Sequence, residues 1–114
     1  MSSGIILRQQ ADWIVSGWAA EAAVEYIRRF LNERECNEVV ERLTAVGLYP
    51  GSLANFTDAT NAQVRQLYRA ALQGYEAART EGPRDWHQPE FFPGFLDRFG
   101  ELIDMIASDP RLRD

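Results

Sequence analysis

Asp12 to Leu31 reads DWIVSGWAAEAAVEYIRRFL, and its apolar residues recur at helical spacing. Trp13, Gly17, Ala20, Val24, Ile27 and Leu31 fall at steps of three and four, and Ala19, Ala23, Tyr26 and Phe30 widen the stripe. The alanine run favours a helix. Asp12 suits its start, because a carboxylate there accepts from N–H groups that lack partners in the first turn. An apolar face this wide predicts a central helix touching two neighbours.

Upstream, residues 1–10 leave flexible, extended and helix-start readings open: Ser2-Ser3-Gly4 is flexible in character and Ile5-Ile6-Leu7 is a short apolar run. Downstream, Asn32-Glu33-Arg34-Glu35 has the pattern of a capping box and predicts a break at Asn32. A second helix then carries Cys36, Val39, Val40, Leu43 and Val46, with Gly47 as its stop. One bent helix over 12–46 is the alternative.

Residues 47–60 read as a loop with turn chemistry at Tyr49-Pro50-Gly51-Ser52, anchored by Leu53 and Phe56. Thr60-Asn61-Ala62-Gln63 is a clearer capping box. It opens a helix on which Val64, Leu67, Tyr68, Ala71, Leu72, Tyr75 and Ala78 share a face, and Gly82-Pro83 stops it. A last helix starts between Pro89 and Pro93, with Phe92, Phe95, Leu96, Phe99, Leu102, Ile103 and Ile106 inward, and ends at Asp109-Pro110. Four periodic segments with short connections predict an all-α, compact single-domain antiparallel helical bundle of four to five helices over residues 1–114.

Composition narrows the function classes. A chain of 114 residues, 46% hydrophobic and 11% aromatic, can close one bulky core. The 12 basic residues are all arginine, which reads first as codon bias. A net charge of −5 disfavours direct nucleic-acid binding and suits a basic partner. The single cysteine, Cys36, precludes an intramolecular disulfide and fits a reducing cytosol. Ile5-Ile6-Leu7 is too short for a signal-peptide core, and no apolar run approaches the ~20 residues of a membrane span, so a cytoplasmic protein is expected.

No catalytic kit emerges. His87 is the only imidazole, and nothing places Cys36 beside it as a nucleophile–base pair requires. One His and one Cys do not make a zinc site. The glycines follow no phosphate-cradling spacing. The expectation is no enzyme, no metal and no cofactor.

The densest chemistry lies in Gly82–Phe95, GPRDWHQPEFFPGF. Its prolines lower the entropy lost on ordering, which suits a preformed recognition surface. Phe92 and Phe95 belong to the core stripe, leaving Trp86, His87 and Phe91 as candidate anchors. Asp97, Glu101 and Asp104 recur at i, i+4 and i+7 opposite that stripe, a face able to steer a basic partner or simply to be solvated. With Tyr49 in the turn, these residues compose the expected partner-binding set.

The function expected is therefore an inhibitor or immunity-type protein that occludes a basic site on a partner protein. Small acidic helical bundles of the colicin-immunity type have the same general character, with no motif in common, so the likeness is fold-level analogy alone. The alternative is a small-molecule sensor or carrier whose pocket is lined by Trp13, Trp18, Tyr68, Tyr75 and Trp86, with residues 82–95 as a lid. The wide face of the first helix also admits a homodimer.

Overall fold

The computed structural model describes residues 2–48, 51–84 and 86–113. It opens with two strands, β1 (Ser2–Arg8) and β2 (Ala11–Ser16), followed by helices α1 (Gly17–Arg28) and α2 (Asn37–Leu48). A short strand β3 (Leu53–Asn55) precedes α3 (Asn61–Glu81) and α4 (Phe92–Ala107). Turns of 3-10 helix at Pro89–Phe91 and Pro110–Arg113 flank α4. The fold is thus α+β, and the all-α bundle expected from periodicity is corrected: a three-stranded sheet of order β2-β1-β3 stands beside the helices.

The correction begins at Asp12, which lies inside a strand rather than capping a helix. Ala11 and Trp13 are buried while Asp12, Ile14 and Ser16 are exposed, the alternation of a half-covered strand. Ile5 pairs with Trp13 across the antiparallel hairpin, and both are buried. The connection is Gln9-Gln10, where Gln10 takes a left-handed backbone with φ 68. Register slips between Ile6 and Arg8, which places an extra residue, Leu7, in β1. Gly4 is required by close approach, since a Cβ there would lie 1.7 Å from the Trp13 carbonyl oxygen.

β3 runs parallel to β1, with Ile5 opposite Ala54 on the buried face. The opposite face carries exposed Ile14 and Leu53. Among the described residues, helices therefore cover one side of the sheet only.

The stripe from Trp13 to Leu31 is divided between elements. α1 begins at Gly17 after Ser16, whose side chain makes no cap bond, and buries Ala19, Ala20, Ala23, Val24, Tyr26 and Ile27. Asn32 Oδ1 accepts from the Arg34 and Glu35 N–H groups, making a turn. α2 starts only at Asn37, so the region holds two helices, and α2 runs past Gly47 to Leu48. The Thr60 capping box opens α3 as the spacing predicts, and Gly82 ends it. Gly74 lets α3 close on α1, since a Cβ there would meet the Tyr26 carbonyl oxygen at 3.0 Å. α4 buries Phe92, Phe95, Phe99, Leu102 and Ile106, with Pro93 in its first turn, where a missing N–H costs nothing.

Arg111 ties the C-terminal turn to the sheet. Its guanidinium donates to the carbonyls of Leu7 (2.7 Å), Phe56 (2.7 Å) and Ala59 (3.0 Å). The fully buried Asp109 carboxylate holds it through bonds of 2.9 and 2.7 Å. Buried carbonyls at a strand bulge and a loop need donors, and one planar guanidinium supplies several at once. The Arg111 hydrogen bond depresses the Asp109 pKa, against burial, which raises it.

Candidate functional site

Ile14, Trp18 and Phe91 are large apolar side chains left 44%, 47% and 46% exposed. All three line one groove of about 620 Å³ between β2 and the start of α4. Each position has a local cause. Ile14 points outward by strand alternation. Trp18 sits in the first turn of α1, outside the face that meets the core. Phe91 closes the turn Pro89–Phe91, whose proline-fixed backbone leads directly into α4.

The aromatic rings are coupled. Trp18 meets Trp86 at a centroid distance of 6.0 Å and Phe91 at 5.9 Å. Trp86 is half-buried and rests on Phe92 and Phe95, at 5.1 and 5.0 Å. Trp86 thus works as a wedge joining the exposed rings to the core. Such contacts hold the rings in place before any partner arrives, which reduces the entropy lost on binding.

Charge borders this apolar surface. Glu90 and Arg98 line the groove. Arg98 is bound by Glu101 at 3.0 Å, which offsets its charge. Asp97, Glu101 and Asp104 are exposed along α4. A second hollow of about 440 Å³ is lined by Tyr26, Arg29, Glu81, Arg84 and Trp86. There Arg29 donates to Glu81 at 2.7 Å and stacks over Tyr26, so two of its charges satisfy each other.

The expected anchors occupy different places. Phe91 lines the groove, and Trp86 supports it from behind. His87 is exposed but is not among the groove-lining residues. Asp97, Glu101 and Asp104 share the helix that forms one wall. Tyr49, like Pro50, lies outside the described residues. Of the rings proposed to line a ligand pocket, Trp13 is buried and donates to the Arg98 carbonyl at 2.7 Å, and Tyr75 packs on Phe99. Trp18 and Trp86 do meet.

Ile14 and Trp18 escaped the partner-binding set. The available signal was Trp18 itself, a large ring lying off the apolar stripe of its helix. Ile14 was hidden by the helical reading of β2.

Among the described residues, no group of three or more His, Cys, Asp or Glu side chains could hold a metal ion, and no helix is long and apolar enough to cross a membrane. No protein-family model, curated protein or solved structure matches this chain. The fold and the groove define an α+β domain with a helix-flanked strand edge.

Proposed function

We propose that this chain is a non-enzymatic acidic binding protein, an inhibitor or immunity-type protein that occludes a basic site on a partner protein. One observation carries the reading: Ile14, Trp18 and Phe91 stand exposed together, beside a helix whose outer face presents Asp97, Glu101 and Asp104. Apolar anchors supply most binding energy once desolvated, while rim carboxylates speed encounter with a basic surface. The analogy with helical immunity-type bundles no longer extends to the fold, so the reading stands on this surface alone.

The test is capture by the immobilised protein at low and high salt, with three baits. Wild type is expected to retain a basic partner that salt weakens. Trp18→Ala/Phe91→Ala should lose the complex by faster dissociation. Asp97→Asn/Glu101→Gln/Asp104→Asn should slow association and flatten the salt dependence. Equal capture by all three baits would refute the assigned surface. Tryptophan emission that answers to a small apolar ligand, with no protein captured, would turn the reading toward a sensor.

A further inference from the structure

We infer that the free edge of β2 takes an extended, basic segment of the partner as a fourth strand; this rests on the reading of the chain as a binder of basic partners. β2 pairs with β1 on one side and with no described strand on the other. The groove is lined by Ile14, Val15 and Ser16 in succession. Consecutive strand residues point to opposite faces, so a groove that touches all three reaches the strand's edge over its last residues, where it also touches Ser2 of β1 at the end of the hairpin. The opposite wall is α4 at Gly94, Phe95 and Arg98. A Cβ at Gly94 would meet nothing within 4 Å, so that wall is low and open.

This combination suits a strand. An exposed edge presents N–H and C=O groups whose hydrogen bonds fix an incoming backbone, and neighbouring apolar hollows take alternate side chains. Proteins blunt unused edges with lysine, proline or a bulge. β2 has no lysine or proline, its sole charge, Asp12, does not line the groove, and the hairpin's bulge lies in β1. Charge selects the occupant. Arg98 is offset by Glu101, which leaves Glu90 on the groove and Asp97 and Asp104 nearby on the wall helix. With a net charge of −5, a second copy would set one acidic face against another.

The test uses a short acetylated peptide amide of alternating arginine and valine. In a strand its valine N–H groups face one edge and its arginine N–H groups the other. The peptide is expected to quench or shift tryptophan emission and to slow amide exchange at Ile14–Ser16. N-methylating one set should weaken binding by about tenfold or more, while methylating the other set leaves it unchanged. Binding indifferent to both methylations would overturn strand addition and leave the proposed function standing. So would failure of the peptide while a basic partner is still captured through Trp18. Equal binding of a glutamate–valine peptide would refute the basic occupant and the proposed function together. Protection of β2 that grows with protein concentration alone, with a dimer by sedimentation, would give the edge to a second copy and overturn the inference.

Discussion

Trp18 meets Trp86 edge to face, with ring planes at 87° and centroids 6.0 Å apart. The pair joins the first turn of α1 to the loop before α4. Trp18 is half exposed and Trp86 half-buried, which separates their roles. Trp18→Ala should cost only ~1 kcal/mol of stability, the size of one aromatic pair. It should weaken partner binding by ~2 kcal/mol or more, the range of an anchor residue. Denaturant unfolding and binding kinetics on the same variant read the two effects apart. A loss of stability equal to the loss of affinity would make Trp18 structural.

Two glycines should respond with opposite signs. Gly4→Ala forces a methyl against the Trp13 carbonyl oxygen, so the hairpin must open. A loss of about 3 kcal/mol or more is expected, or failure to fold. Gly94→Ala meets open space within a helix and should raise stability by up to ~1 kcal/mol. Thermal melts of the two variants check both.

The hairpin turn holds Gln10 at φ 68, a conformation that costs a side-chain-bearing residue about 1 kcal/mol. Gln10→Gly should therefore stabilise by a few tenths of a kcal/mol after glycine's own entropy cost. Gln9→Gly, where φ is negative, should destabilise. Urea midpoints of the pair decide it, and equal shifts would remove the argument.

Arg111→Ala leaves the Asp109 carboxylate buried, with Arg8 at 3.7 Å, and strips donors from three carbonyls. A loss of ~3–5 kcal/mol is expected. Adding Asp109→Asn should recover part of it, because the two changes remove one shared network. Strict additivity in the double variant would show that the network is not cooperative.

Acid should reveal the same pair. Asp109 has its pKa lowered below the ordinary 3.8, first by the Arg111 hydrogen bond. A depressed folded-state pKa adds stability that is complete above the unfolded value and is lost as pH falls through the folded value. The contribution is thus complete above about pH 4 and declines below it until pH passes the folded value. Asp109→Asn should be less stable at neutral pH and lose less as pH falls below about 4. Urea unfolding across that range measures the difference.

The two long late helices were legible because each carried its own punctuation. Thr60 and Gln63 close a reciprocal cap, Gly82 takes the positive φ of a stop, and Pro93 sits where a helix tolerates it. The first hairpin was not legible for a matching reason. Its turn is Gln9-Gln10, with no glycine, asparagine or proline to mark it, although Gln10 adopts the conformation those signals announce. β2 is six residues long, too short to separate a two-residue from a 3.6-residue period. Trp13 lies four before Gly17 and so continued the stripe of α1 by coincidence. The β-branched pair Ile14-Val15 was the remaining cue. Losing the hairpin also hid half the candidate site: Phe91 and Trp86 stood out by composition, but Ile14 acquires meaning only once β2 is seen as an edge.

Arg111 grips the Leu7 carbonyl across 104 positions of chain. Synthesis delivers Leu7 early and Arg111 late, so the bulge of β1 waits for its donor while the intervening chain emerges. Closing so long a loop is entropically slow even when the final contact is strong. During that interval the young hairpin is held by its own ladder and by whatever helices have already arrived. The clasp therefore sets a clock as well as a shape: β1 and β2 are made before the helices that pack on them and are among the last elements to be secured.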